Sequence, residues 1–483
     1  MTNISSFSDD LTRILNLADS DVRVKEIEET ADSLIVYVEK AFPNNICPEC
    51  GCKAESKGPR IRQVNHPILQ DGRKCLINLI SRKWHCKSCG AYYYDQFGFV
   101  EKGKQNSNII VLQVLDKMKN LGNTAVSIAH DLNISDTMVH EIFMRYVDLP
   151  RLPLPEVLCI DEVHMKYSNA DLYSVILLDW KTGDVVDILP NRYHDTLVRY
   201  FQQITISERE NVKYLISDMY SQYTDLAGSL LPEAVSVIDC FHHTQPMINS
   251  IRQYINKVRK RYLKRDHERL EEKNFQTNSN HRTIKESREV YLLRRYEFLL
   301  LKNVADINYE PYFRSVRGRG GYLFDLRAIE KEFMELDENF PKIRELKEMY
   351  IAFTHSYVND REGAEKELEH LIKIYTESGL EIFTSFARLL TSHKEGILTS
   401  FTFMTAERKD ASEETLRRLS NGPMEGYNNQ PKDLKRNSNG VSNFSYNRNR
   451  LLWASRKNPA MKAVPYSREE VHTPGKARGK YKK

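Results

Sequence analysis

Val157-Leu158-Cys159-Ile160-Asp161 is an apolar run of strand length that ends on a carboxylate, and Tyr214-Leu215-Ile216-Ser217-Asp218 repeats the arrangement farther along. Around them the apolar pattern reads strand, strand, strand, helix, strand, helix, strand over 156–163, 172–180, 184–189, 194–204, 212–217, 221–230 and 234–240. Gly183 supplies the turn between the second and third strands, and Pro150, Pro153 and Pro155 mark a linker ahead of the first.

Three antiparallel strands followed by alternating helix and parallel strand is the order of a ribonuclease-H-like sheet. In that order Asp161 lies on the central first strand and Asp218 at the end of the fourth, its neighbour, so the two carboxylates converge. Either Asp alone reads as a cap on a strand end. A third acidic side chain changes the reading: Gly422-Pro423-Met424-Glu425-Gly426, followed by Asn428 and Asn429, sets Glu425 in a turn that opens a basic, asparagine-rich stretch. Carboxylate oxygens are the ligands Mg prefers, and two ions roughly 3.5–4 Å apart stabilise both the attacking and leaving oxygens of a phosphodiester. Glu162 competes with Asp161, because one step along a strand turns a side chain to the opposite face; spacing alone leaves both open. Pro431 requires the helix carrying Glu425 to be short, kinked or late to begin.

Upstream, Cys47-Pro48-Glu49-Cys50-Gly51 and Cys86-Lys87-Ser88-Cys89-Gly90 are paired knuckles whose four thiolates suit one tetrahedral Zn. The span between them exceeds the usual ribbon spacing, and strand-like Lys74 to Trp84 is expected to form a hairpin that returns the second knuckle to the first. Cys52, Cys75, Cys159 and Cys240 read as free thiols, and His85 as a spare ligand. A polar leader and one strand, Ser33 to Val38, precede the first knuckle. From Ile109 to Met118 the period becomes helical, and 124–130 followed by 135–146 fits helix-turn-helix, with Ser135 as cap. Asp136, Thr137, His140 and Glu141 are expected on its outward, DNA-facing side.

The chain of 483 residues, with 41% hydrophobic content, has room for roughly two to four domains. Its net charge of +5 is modest but clustered. Arg252, Lys257, Arg259, Lys260, Arg261, Lys264 and Arg265 crowd one predicted helix, Lys432, Lys435, Arg436, Arg448 and Arg450 follow Glu425, and a basic tail runs from Lys476 to Lys483. Such groups hold phosphates without reading sequence; the bland alternative is a solvated helix face. Tyr427, Phe444 and Trp453 are candidates for stacking on exposed bases, with core packing the stronger reading for Phe444 and Trp453. Residues 243–415 show helical periodicity with short breaks, the main one at 315–321, read as a mobile loop. No apolar run reaches the roughly 18 residues of a membrane span and no signal-peptide core appears, which predicts a soluble cytoplasmic protein.

Ser420 to Asn429, continued by Lys432, Lys435-Arg436, Gly440, Asn443-Phe444 and Arg448-Asn449-Arg450-Leu451, resembles the C-terminal signature of bacterial insertion-sequence transposases of the ISL-three family. The paired knuckles, the helix-turn-helix, Ile160-Asp161-Glu162, Ile216-Ser217-Asp218-Met219, Asp239-Cys240-Phe241-His242 and His393-Lys394-Glu395-Gly396-Ile397 follow in that family's order. Gln430-Pro431 departs from its pattern. The resemblance implies a multidomain α+β protein: a zinc-binding domain over 1–105, a helix-turn-helix domain over 106–150, and a ribonuclease-H-like DDE core over 151–245 and 416–460. An all-helical insertion over 246–415 would interrupt the core, and a basic tail would occupy 461–483. It also implies catalysis by Asp161, Asp218 and Glu425 with two Mg ions, for which Mn can substitute. Asp239 and His242 would be accessory, and Thr137, His140, Arg252, Lys257, Arg259, Lys260, Lys432, Lys435 and Arg436 would contact DNA. The implied partners are the element's terminal inverted repeats, target DNA, and further copies of the chain in a synaptic homodimer or larger assembly at the bacterial nucleoid. Rival readings keep the fold but make the chain a DNA-binding regulator or a nuclease that never joins strands.

Overall fold

The computed structural model describes residues 11–17, 19–67, 72–165, 171–277, 286–316, 320–407, 415–437 and 443–471. The chain divides into two compact units, Met1–Arg151 with Val163–Tyr173 and Asn428–Lys483, and Leu152–Glu162 with Ser174–Tyr427.

The first unit begins with strands β1 (Val22–Glu29), β2 (Ser33–Lys40), β3 (Glu55–His66), β4 (Lys74–His85) and β5 (Tyr92–Tyr94), in the order β1-β2-β4-β3 with β5 on β4. Alternation turns Cys75, Ile77 and Leu79 of β4 inward, where they meet Val36, Val38, Val64, Phe97 and Phe99. β3 and β4 form the long antiparallel hairpin expected from Lys74 to Trp84, with Glu55 opposite His85.

Three helices follow, α1 (Asn108–Lys117), α2 (Ala125–Leu132) and α3 (Asp136–Tyr146). Thr124 and Ser127 cap α2 reciprocally, each side chain accepting the other's backbone N–H at 3.0 Å. Asn133 ends α2 in the left-handed conformation, φ 52°, and the Ser135 hydroxyl accepts the Met138 N–H at 3.1 Å to start α3. Ile128, Ala129, Leu132, Val139, Ile142 and Phe143 are buried along these helices.

A second sheet contains β6 (Val157–His164), β7 (Tyr173–Asp179), β8 (Val185–Leu189), β9 (Tyr214–Ser217) and β10 (Val235–Ile238), ordered β10-β9-β6-β7-β8. β9 runs parallel to β6 and β10 parallel to β9, whereas β7 and β8 are antiparallel. One face carries Leu158, Ile160, Leu177 and Leu215, covered by Leu197 and Phe201 of α4 (His194–Gln202) and by Tyr223 and Leu226.

From β10 the chain passes directly into α5 (Cys240–Thr277), whose Met247, Ile251, Ile255 and Val258 form a stripe in a large apolar cluster. The longer helices that follow are α6 (Arg288–Arg295), α7 (Leu326–Met334), α8 (Phe340–Ser356), α9 (Arg361–Glu377), α10 (Glu381–Ser392) and α11 (Lys394–Thr399), with a single turn at Phe298–Leu301 after α6. It is not all helical, contrary to expectation. Ribbon β11 (Tyr312–Val316) with β12 (Gly320–Phe324) occupies most of the stretch read as a mobile loop; 317–319 lie outside the described residues. β13 (Phe403–Ala406) pairs with β14 (Thr415–Arg418). α11 lies against β10, since a Cβ on Gly396 would come within 2.9 Å of Ile238 Cγ1.

α12 (Gly422–Tyr427) closes the second unit; α13 (Asn429–Asn437) and α14 (Phe444–Ser455) belong to the first. The break at Asn428 reconciles Pro431 with helix, because the proline falls in the opening turn of α13, where no intrahelical N–H is required. No described helix is long and apolar enough to cross a membrane.

Candidate functional site

The register of the second sheet sets three acidic residues at one level. Cys159 pairs with Ile216 and Val237 also pairs with Ile216, and Asp161, Asp218 and Asp239 each stand two residues past those positions on β6, after β9 and after β10. Equal steps on neighbouring parallel strands bring side chains to the same face. The Cys159 thiol lies on that face; burial pushes its pKa well up, and the charges of Asp179, Asp239 and Asp161 push it further.

Backbone amides orient the half-buried Asp161 and Asp218. Asp161 Oδ1 accepts the Glu162 N–H at 2.8 Å, and Asp218 Oδ1 accepts the Tyr220 N–H at 2.9 Å. Buried Asp239 accepts the backbone N–H of Asn421 through Oδ2. The Asn421 carbonyl in turn accepts the N–H groups of Met424 and Glu425, both at 3.0 Å. Met424 and Tyr427 are buried on one side of α12, leaving Glu425 exposed on the other. His242 sits in the first turn of α5, its N–H donating to the Asp239 carbonyl at 3.1 Å.

Glu162 points the other way, toward the face of Ile160. Its Oε2 accepts from Arg192 at 2.8 Å and its Oε1 from the Tyr223 hydroxyl at 2.9 Å, partners that no sequence spacing announces. Burial raises the Glu162 pKa, the hydrogen bonds from Arg192 and Tyr223 pull it back, and the Asp218 charge raises it again.

Among the described residues, the groups of three or more potential metal ligands with all ligand atoms within 4.8 Å of one another reduce to Cys47, Cys50, Cys86 and Cys89. Asp161, Asp218 and Glu425 are therefore not gathered that tightly. The four thiols are: Cys47 and Cys89 Sγ are 3.6 Å apart, Cys50 and Cys86 Sγ 3.4 Å. A tetrahedron with Zn–S bonds of about 2.3 Å has edges of about 3.8 Å, so the set fits zinc after a small expansion. The β3–β4 hairpin brings the knuckles together, and each turns at a glycine with positive φ, Gly51 at 71° and Gly90 at 75°. The Cys86 thiol is held down at about 6, first by the Cys89 backbone N–H. His85 stacks on Tyr92 with centroids 4.3 Å apart and is not part of the set.

The expected DNA contacts divide. Thr137 and His140 are both exposed, the His140 ring lying 5.0 Å from that of Tyr446. Glu141, expected outward, is buried and pairs with Arg468 at 3.2 Å, because the segment 468–471 covers that side of α3. Lys257 and Lys260 are exposed and Arg259 half-buried; Arg252 is 3.8 Å from Glu297, and Arg261 and Arg265 have carboxylate partners in Asp337, Asp266 and Glu289. Lys432 and Arg436 are exposed, Arg436 lying 3.3 Å from Asp433, and Lys435 meets His164 Nδ1 at 2.7 Å. Arg448 and Arg450 are structural: Arg448 donates to the Leu149 carbonyl at 2.9 Å, and buried Arg450 to those of Asn120 and Asn123 at 2.9 and 3.1 Å. Tyr427 and Trp453 are buried, the Trp453 indole donating to the Leu115 carbonyl at 2.8 Å. The tail from Lys476 lies outside the described residues.

A family model described as transposase, of the ISL-three DDE group, matches residues 158–451, more than half of the chain. The chain is also 20% identical over 226 residues to a transposase for insertion sequence element IS1001 from Bordetella parapertussis, a match covering 46% of this chain and 54% of that relative. It thus spans about half the length of the curated relative it matches.

Proposed function

From a chain that belongs to the ISL-three family of DDE transposases, we infer the transposase of an insertion sequence, which binds the element's ends and carries out Mg-dependent cleavage and strand transfer through Asp161, Asp218 and Glu425. The observation that carries this reading is the level row of Asp161 and Asp218 on adjacent parallel strands, with α12 tied to the same row through Asp239. The strand order agrees with a ribonuclease-H-like core, since numbering the strands by sequence gives 5-4-1-2-3.

The donor set suits two hard cations. Ligands of an ion pair roughly 4 Å apart span more than those of one ion, so carboxylates wider than a single-ion cluster are in keeping with it. Bound Mg would supply activation of the attacking oxygen and stabilisation of the leaving 3′ oxygen. The chain's own part is orientation: the Glu162 and Tyr220 amides fix Asp161 and Asp218, and the Asp239–Asn421 bond fixes the start of the Glu425 helix. Glu162, held by Arg192 and Tyr223, buttresses the opposite face and is not a ligand. Cys47, Cys50, Cys86 and Cys89 hold structural zinc, and α2 with α3 acts as a helix-turn-helix presenting Thr137. Lys257, Arg259, Lys260, Lys432 and Arg436 hold phosphates.

The test is incubation of the full chain with Mg and duplexes carrying the inverted repeats that flank its reading frame. Nicked ends and joined products are expected. Nicks without joining would make it a hydrolytic nuclease, and binding without either would make it a regulator.

A further inference from the structure

Where the first sheet reaches the knuckles, one of its faces carries a ladder of rings and cations. Alternation along β4 turns Trp84 onto the knuckle residues Cys47 and Cys86, with Tyr93 of β5 beside it, and so leaves Lys83 and His85 on the opposite face. Lys83 lies opposite Tyr94 and His85 opposite Tyr92, which puts both tyrosines on that face too. β3 adds Arg60, opposite Ser81. The groups interleave: the Arg60 guanidinium is 5.9 Å from the centre of the Tyr94 ring and the Lys83 ammonium 4.5 Å from that of Tyr92, on which His85 also stacks. Tyr92 is 58% exposed and Arg60 is exposed, so the ladder is open to solvent.

The charge on these strands is one-sided. β3 and β4 hold Lys57, Arg60, Arg62, Lys74, Arg82 and Lys83 against one acidic residue, Glu55, and β5 holds none. Glu55 is already engaged, meeting Lys87 at 2.5 Å and Lys57 at 3.9 Å. Arg60 and Lys83 rest on rings, and among the described residues neither pairs with a carboxylate. A cation held on a ring keeps its charge, so a phosphate binds it without displacing a carboxylate. Because the rings are already faced by cations, the ladder offers charge and donors more than free stacking platforms. That suits the phosphates along a duplex better than unpaired bases. The surface is also joined to the helices that follow: the Asn65 carbonyl of β3 accepts the Ser107 N–H at 3.0 Å, and Arg62 donates to the Lys104 carbonyl at 2.7 Å.

We propose that this face of β3, β4 and β5 binds the phosphate backbone of duplex DNA, with Arg60 and Lys83 as the phosphate contacts. It rests on the transposase reading for the identity of the duplex, the element's ends beside the helix-turn-helix, and on geometry and charge for the contact itself. The contact is independent of sequence, since phosphates carry none.

The experiment measures full-chain binding across a salt series to a duplex carrying the inverted repeat that flanks the reading frame and to an unrelated duplex of equal length. Arg60→Gln and Lys83→Gln should each lower the salt slope by about one, and the double variant by about two, on both duplexes alike. Zinc content equal to the parent's verifies that the module is folded. Lys25→Gln is the control for net charge: it lies on β1 beside Glu26, Glu28 and Glu29, away from the ladder, and should leave the slope unchanged. An unchanged slope in the double variant with zinc retained overturns the proposal. So does a loss confined to the inverted-repeat duplex, which would make the ladder a reader of bases, or an equal loss in Lys25→Gln, which would make the effect one of net charge. If the parent chain fails to cut the element's ends while the Arg60 and Lys83 effects persist, the transposase reading fails and the ladder stands.

Discussion

The Asp239 carboxylate accepts the backbone N–H of Asn421, the residue whose carbonyl starts the helix carrying Glu425. This bond joins residues far apart in sequence and ties a sheet edge to α12. Asp239→Ala leaves a buried N–H without its partner, a loss of about 1–3 kcal/mol. We expect it to cut end cleavage strongly while DNA binding persists. Asp239→Asn, which keeps an acceptor oxygen, should recover much of the stability. Equal stability of the Ala variant and the parent in urea would count against this role.

For the three proposed ligands, Asp161→Ala, Asp218→Ala and Glu425→Ala should each abolish cleavage and strand transfer with end binding retained. Glu162→Ala should act through stability, because Arg192 and Tyr223 lose their acceptor. Mn is expected to restore part of the activity of Glu425→Asp, being less strict about geometry than Mg. Vigorous Mg-dependent strand transfer by Glu425→Ala would move the third ligand elsewhere.

One Zn per chain is expected by elemental analysis. Cys47→Ser should lose it and weaken end binding, while the second unit, which contains none of the four thiols, keeps its unfolding transition. Metal-free protein with an intact first unit would exclude a structural zinc.

Acid should destabilise the second unit through His243. Its Nδ1 meets the Tyr350 hydroxyl at 2.7 Å, and burial, reinforced by Arg418, His242 and His393, pushes its pKa from 6.5 down to about 3. The folded chain thus keeps His243 neutral where the unfolded chain takes up a proton. Its contribution is complete above pH 6.5 and is lost as pH falls toward 3. At about 1.4 kcal/mol per pH unit the whole window is worth roughly 4–5 kcal/mol. His243→Phe should flatten the fall in melting temperature between those limits; an unchanged slope would assign the acid sensitivity to other groups.

Legibility in the sequence follows burial. β6 to β10 were readable because a sheet covered on its faces needs near-continuous apolar strands, and Val157 to Ile160 or Tyr214 to Ile216 have no other use. β1 and β3 escaped notice because their residues are mostly exposed and charged, as in Val22-Arg23-Val24-Lys25-Glu26. The knuckles were visible since metal ligation fixes both residue type and spacing. The ribbon was hidden by glycines and arginines that read as a break, although Gly320-Gly321-Tyr322-Leu323-Phe324 carries the flanking apolar residues of a hairpin strand. Glu141 and Arg450 were misread for a different reason: what covers them is chain from far away, and local periodicity carries no record of distant partners.

Such distant partnership has a cost in time. The indole of Trp453 and the guanidinium of Arg450 satisfy carbonyls at Leu115, Asn120 and Asn123, around the start of a helical pair made hundreds of residues earlier. A chain leaving the ribosome N-terminus first presents α1 to α3 with these acceptors unfilled throughout synthesis of the entire second unit. Domains tend to mature in the order they emerge, but here the opening unit must wait for residues of α14. Its assembly is a long-range loop closure, slow by the standard of local helix pairing, and a nascent chain stalled before Phe444 would hold a finished second unit beside an unfinished first.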